Sequence, residues 1–375
     1  MTAKQDGFIL IAALTLMATL VLVGATTYLV SSTNVKVGNN FKTSQIALEV
    51  AMAGAEKARE TLRAANAAST NTESFSEELA AHVGANSQLN DPLGATDDVN
   101  VVTGNTSSAT MNVGNANLSY VVYVTNDSQD PNGWASTTDS NKKAFLTSIA
   151  TGPNNSRAIV QTVVQVFPMV SSPSTIYTKG DVTGNGASLT ISGNDACGAG
   201  ANLDAVYAKG DWDPNGSPTI TGAITEFGSL DLDVAGMISQ LKGSADVTLT
   251  ADVNGATYGT SSSFKTVYSN TSSPNNVNGL MMQNITGWGI LIVDGDLELG
   301  GGFNWNGIIL ATGAVKLNGG GGPNALNIQG QLLSGTSTVT DITLNGSNNI
   351  AYNSCYTKKA AATSPLKVLS WRQKF

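Results

Sequence analysis

The chain has 375 residues, enough for two or three domains or one elongated one, and its mean hydropathy of 0.00 hides one apolar segment that offsets a polar remainder. A formal charge of −8 and only four arginines (Arg59, Arg63, Arg157 and Arg372) exclude a nucleic-acid-binding role, because phosphate recognition needs a clustered basic surface. The sole histidine, His82, and the two cysteines, Cys197 and Cys355, exclude a Ser-His-Asp triad in the body and argue against a His- or Cys-based metal site.

From Phe8 to Val30 there are 23 residues without a charge. A helix of that length rises about 34 Å, enough to cross the hydrocarbon core of a membrane. A secretory signal has a shorter apolar region and a small-x-small cleavage site, so the run reads as a span, with Gly24-Ala25 the one hint of cleavage. After a short polar stretch, IALEVAMAGAEKARETLRAANAA is rich in helix formers, and Ile46, Val50, Ala53 and Leu62 can share one apolar stripe. The spacing predicts one helix over 8–65, about 85 Å long, with residues 8–30 in lipid, a soft spot near Gly38-Asn39-Asn40 and an upper half that packs on a domain.

The leader MTAKQDG ends in Gly7 directly before Phe8, and GFILIAAL is followed some 40 residues on by IALEVAMAGAEKAR. This N-terminus resembles type IV prepilins, and most closely PilX-type minor pilins, over about the first 65 residues. The resemblance implies cleavage after Gly7 by a prepilin peptidase, methylation of Phe8, and apolar helices bundled as a filament core, with Ala12, Leu16, Leu20 and Gly24 along the packing face. It also implies pilins, minor pilins and an inner-membrane assembly machinery as partners. The protein would lie in the inner membrane before assembly and on the pilus or cell surface after it. Major pilins of the family carry Glu at the fifth mature position, where this chain has Ala12, which fits a minor or tip subunit. Asp6 departs from the basic residue often found before the Gly.

Residues 66–98 read as a linker with a short helix over 74–82, Ser74 its N-cap and Glu77 completing a capping box. Period-two runs in NLSYVVYVTN, AFLTSIATG and RAIVQTVVQVFP predict a small antiparallel sheet over 99–168, packed on the helix. Residues 169–375 change texture. IYTKGDVTGNGASLTISG and VYAKGDWDPNGSPTITG repeat one another, and Gly295, Gly313 and Gly330 centre three later repeats spaced by 18 and 17 residues. This resembles a β-solenoid of right-handed β-helix type, with Leu297, Leu299, Ile308, Leu310, Val315, Leu317, Ile328, Leu332, Ile342 and Leu344 inward; a Gly-rich sandwich is the alternative. LDLDVAGMISQLKG predicts a helix, and the C-terminal SPLKVLSWRQKF is expected to cap the solenoid's open end. The fold class is therefore α+β, a long N-terminal helix followed by a mainly β ectodomain.

Cys197 and Cys355 predict one long-range disulfide in an exported protein, the alternative being two separate buried thiols. Asp211, Asp213 and Asn215 match the first half of a calcium loop, but Gly222 stands where a bidentate Glu belongs, so a tight Asp-Pro-Asn-Gly turn competes with a Ca2+ site; no other cofactor is expected. Asp294 and Asp296 flank a ligand or face water, and Trp134, Trp212, Trp288 and Trp305 are either surface platforms or core residues. Catalysis is not expected, because a sugar-cleaving site would need a carboxylate cluster with a basic partner and basic residues are scarce. The leading expectation is a minor pilin whose body serves assembly, adhesion or contact. The other is a single-span anchor displaying a β-helical carbohydrate-binding or carbohydrate-active domain.

Overall fold

A computed structural model of the chain describes residues 5–68, 74–83, 98–113, 116–127, 129–133, 136–166, 172–185, 188–270, 279–322, 325–335 and 341–374. The first helix, α1 (Gln5–Ala68), has 64 residues, about 96 Å of continuous helix. It runs through Gly38-Asn39-Asn40 unbroken, because one glycine and two asparagines cost about 2 kcal/mol against alanine and long flanking turns propagate across them.

From Leu10 to Lys42 every residue of α1 except Ser32 is exposed. Burial begins at Ala47 and continues through Val50, Ala51, Gly54, Ala55, Ala58 and Leu62, a stripe at helical spacing. This differs from the expected stripe, since Ile46 and Ala53 are only half-buried. The seat is made of small residues that let a sheet approach. A Cβ added at Gly54 would lie 2.6 Å from a ring carbon of Tyr120, and one at Gly152 would lie 2.9 Å from Ala47 Cβ.

That sheet is antiparallel and contains β1 (Ala109–Val113), β2 (Ala116–Asn126), β3 (Lys143–Thr151) and β4 (Arg157–Gln165) in chain order. Leu118, Tyr120, Val122 and Val124 of β2, Ala144, Leu146 and Ala150 of β3, and Ala158, Val160 and Val164 of β4 alternate onto the face against α1. The short helix α2 (Ser76–His82) starts two residues later than expected and has no capping box. Phe75 is its N-cap, and Asp139 from beyond β2 takes the capping role, accepting from Phe75 N at 2.8 Å.

The body contains β5 (Ser174–Thr178), β6 (Val182–Asn185), β7 (Ser188–Ser192), β8 (Asp204–Ala208), β9 (Trp212–Asn215), β10 (Thr219–Thr221) and β11 (Ile224–Thr225). After a helix come β12 (Val247–Leu249), β13 (Val253–Tyr258), β14 (Lys265–Ser269), β15 (Gly279–Val293), β16 (Asp296–Leu299), β17 (Asn304–Ala311), β18 (Val315–Gly319), β19 (Leu326–Ser334) and β20 (Ile342–Ala351). Every pairing among these strands is parallel. On one face, Ile224, Val206, Ile176, Leu332, Ile309, Leu291, Val267 and Val247 form a single column, each paired to the next, buried in the interior from Val206 to Val267 and open at its two ends.

The rungs do not stack in chain order. The chain enters at β5, in the middle of the stack, and climbs through β8 to β11. It then crosses through α3 (Val234–Leu241) to the far end at β12, and returns through β14, β15 and β17 to β19, which pairs with β5. The repeat seen in the sequence is real in space: Tyr177 pairs with Tyr207 and Val182 with Trp212, and the two tyrosine rings stack at 5.9 Å. Gly330, however, stacks on Gly307 and Gly289, whereas Gly313 sits at a corner over Gly295.

Eight of the ten residues expected inward are in the interior cluster; Ile308 and Leu310 are the exceptions. They point out of the stack into a second buried layer with Leu232, Val234, Met237, Ile238 and Leu241 at α3 and Ala360 of α4 (Ser354–Ala362), while Ile309 and Ala311 face inward. A strand buried on both faces carries no alternation from which to choose.

The C-terminal strand β21 (Lys367–Lys374) does not cap the stack. It pairs antiparallel with β4 as the fifth strand of the helix-bound sheet. Leu366 is buried in that sheet's core, and Arg59 and Arg63 of α1 donate to the carbonyls of Leu366 (3.0 Å) and Thr363 (3.1 Å), so the tail leaves α4 already directed there.

Candidate functional site

Three places gather functional residues: the free half of α1, the junction of α4 with the body, and the outer faces of the stack. Gly7 and Phe8 lie in the first turns of α1. Ala12, Leu16, Leu20 and Gly24, four apart, run along one side of the helix. Leu16 and Leu20 are 63% and 62% exposed, and among the described residues nothing outside its own helix turns lies within 4 Å of a Cβ placed at Gly24. The helix is long and apolar enough to cross a membrane, and its most apolar window is 0% buried against the rest of the chain.

At the second place, Cys197 and Cys355 form a disulfide with a Cα–Cα distance of 5.9 Å, tying a turn to the first turn of α4. Sequence reasoning missed what surrounds it. Asp195 accepts from Ser354 N (2.8 Å), Ser354 Oγ (2.7 Å), Gly200 N (2.7 Å) and Cys197 N (3.2 Å). Desolvation opposes the charge of Asp195, but these hydrogen bonds outweigh it and hold its pKa down at about 2. Asn353 caps α4 through Tyr356 N, a signal readable as Asn before a run of helix formers. Between α1, α4 and the body lies a polar cleft of about 680 Å³ lined by Glu60, Arg63, Asp246, Lys265, Lys359 and four serines, in which Lys265 already pairs with Asp246 at 3.3 Å.

The calcium-loop expectation is corrected by the backbone. Trp212–Asn215 is the extended strand β9, paired residue for residue with β6, so Asp211, Asp213 and Asn215 lie exposed along a straight segment instead of curling round a common centre. The competing tight turn at this site is corrected too. The same four letters at Asp130-Pro131-Asn132-Gly133 do form a turn, closed by Gly133 N to Asp130 O at 2.9 Å. Among the described residues no three His, Cys, Asp or Glu side chains gather as a metal site.

The body's aspartates do structural work at rung corners. Asp181 Oδ1 accepts Asp211 N (2.8 Å), Asp341 Oδ1 accepts Asp181 N (3.0 Å), Asp296 Oδ1 accepts Ala314 N (2.7 Å) and Asp246 Oδ2 accepts Thr266 N (2.8 Å). Each carboxylate satisfies a donor of a neighbouring rung where the ladder turns. Asp294 faces Lys242 at 3.6 Å and accepts from Thr312 Oγ1 at 3.3 Å.

Of the tryptophans, Trp305 is buried, lies 6.0 Å from Phe303 and donates to Gly289 O at 3.1 Å, so it is a core residue. Gly287 beside it has no room for a side chain, since a Cβ there would lie 2.1 Å from the Trp305 ring. Trp212 is partly buried against the interior and Trp288 is half-buried; Trp134 lies outside the described residues.

A third face of the stack carries two outward rows. One runs through Thr219, Thr190, Asn349, Asn327, Asn304, Thr286 and Thr257, each paired with the next. The other runs through Thr221, Ser192, Ala351, Gln329, Asn306 and Trp288. The asparagines of the first row form a ladder, Asn327 Nδ2 to Asn304 Oδ1 at 3.0 Å and Asn349 Nδ2 to Asn327 Oδ1 at 3.3 Å.

No family model and no curated protein matches the chain. Among solved structures, it is similar to the competence-associated pilin ComZ from Thermus thermophilus, at 12% identity over 72% of this chain and 86% of that one, with a TM-score of 0.24.

Proposed function

We propose that the chain is a minor pilin of the PilX type, an envelope subunit that joins or primes a type IV pilus and carries its β body outward for contact or adhesion. The observation behind this reading is the division of α1. Its first half is free of charge from Phe8 to Val30 and unburied wherever its side chains are described, while its second half is seated on a sheet through a stripe of small residues. The uncovered, uncharged run over 10–30 requires lipid or like helices as its solvent. In this reading Ala12, Leu16, Leu20 and Gly24 pack against neighbouring pilins, a prepilin peptidase cuts after Gly7, and the protein moves from the inner membrane to the pilus or cell surface. The parallel stack is read as a β-solenoid whose coils are ordered out of sequence, and the chain is read as having no catalytic role.

The intact mass of the native protein tests this. Loss of the first seven residues with a methyl group of about 14 Da on Phe8 supports it. A mature chain that still begins at Met1 refutes it and favours a plain anchor.

A further inference from the structure

The outward rows on the third face carry no ionisable side chain on any rung, in a chain whose net charge is −8. Every other outer surface of the stack differs. One is covered by α3 and α4, and the next carries Asp213, Glu298 and Lys316. A charged partner on the neutral face would lose hydration and find no counter-charge, whereas a neutral polar partner exchanges its water hydrogen bonds for others like them.

The chemistry of the first row is uniform. Hydroxyls and amides each donate and accept, and parallel pairing sets them about 4.8 Å apart along about 29 Å from Thr219 to Thr257. In the ladder from Asn349 through Asn327 to Asn304, Asn327 Nδ2 also donates to Ala325 O at 3.3 Å and Asn304 Nδ2 to Gly302 O at 3.1 Å, which fixes these side chains before a partner arrives, while each amide oxygen keeps a second lone pair to offer it. On the second row Trp288 leaves part of its indole exposed, an apolar surface beside the hydroxyl track. We propose that this face binds a neutral polysaccharide, a polyhydroxylated chain without charge laid along the rungs. The alternating polar edges and apolar ring faces of such a chain match a track of hydroxyls and amides that runs beside an aromatic ring. The inference goes beyond the filament reading and survives its failure, because it concerns the body alone.

The test is co-sedimentation of the full chain, held in a zwitterionic detergent without sugar groups, with microcrystalline cellulose, chitin and granular starch. The account expects pelleting with at least one, undiminished at about 0.5 M salt because no ion pairs are involved. The double substitution T190K/T219K places two ammonium groups on the track and is expected to weaken retention about tenfold or more. D213N, on the adjacent face, is expected to bind as the parent does. Far-UV circular dichroism and the melting curve check that each variant is folded, and W288A serves as the decisive variant if the lysines disturb the fold. Pelleting with none of the three glycans, retention of folded T190K/T219K and W288A equal to that of the parent, or pelleting that about 0.5 M salt releases would each overturn the proposal.

Discussion

Gly54 shows how a single position sets the approach of helix to sheet. An added Cβ meets the Tyr120 ring at 2.6 Å and Ser148 Oγ at 2.7 Å, so these two side chains already fill the space against the helix backbone and leave no room for another. Replacing Gly54 with Leu should cost about 1–3 kcal/mol through overpacking, measured as a lower urea midpoint at unchanged m. An unaltered midpoint would show that α1 is not held where described. Glu78 offers a second residue-level test. Its carboxyl is buried, Oε2 has no partner among the described residues, and desolvation, aided by Glu77 and Asp139, raises its pKa to about 7. The unfolded chain would bind fewer protons than the native one between pH 4.5 and 7. The stabilising contribution of protonated Glu78 is thus complete below pH 4.5 and lost as pH rises through about 7. Thermal unfolding should show the parent losing about 2–3 kcal/mol from pH 4.5 to 8, and E78Q should remove most of that slope. A slope that is the same in E78Q would refute the assignment.

At the scale of elements, most of what alternates was legible. β2, β3, β4, α3 and the 30-residue repeat all stand in the chain as patterns, because one face of each is buried and the other is not. What could not be read is where two-sided burial or distant partners decide. Ile308 and Leu310 lie in a run of five buried residues, so only the arrival of α3 and α4 settles which side each one faces. The letters Asp-Pro-Asn-Gly form a turn at 130–133, whereas at the second site 213–215 are strand, since β6 supplies them with a parallel partner and no described strand pairs with 130–133. β21 reads as a cap for the stack's open end, but its place beside β4 follows the contacts of Arg59 and Arg63, some 300 residues away, with the chain that leads into it. Of the candidate site, the charge-free run that the fold leaves uncovered was visible, whereas the neutral rows were not, because their neighbours come from rungs stacked out of chain order. The glycine ladder tests that stacking. Gly307 has φ of 138°, and a Cβ would lie 2.1 Å from Gly289 O, so Gly307→Ala should cost about 3 kcal/mol or more and lower the melting temperature. An unshifted melting temperature would mean that β15, β17 and β19 do not stack in this register.

The whole molecule joins an uncovered apolar rod to a helix-bound sheet and a parallel stack, each with its own core. The helix-bound sheet and the parallel stack are linked by the strand β5 enters from, by the returning tail β21, and by α4 with its disulfide to Cys197. A body tied in this way travels with the helix as the helix packs, which is what a filament subunit needs. The most direct measurement is oxidative cross-linking of the full-length protein in its own membrane after a cysteine is placed at Leu16 or Leu20. The account predicts a disulfide-linked adduct with a neighbouring pilin carrying a cysteine at a facing position of its own N-terminal helix. Finding the protein only as a monomer at both positions, under conditions where the introduced thiols are shown to be reactive, would contradict it.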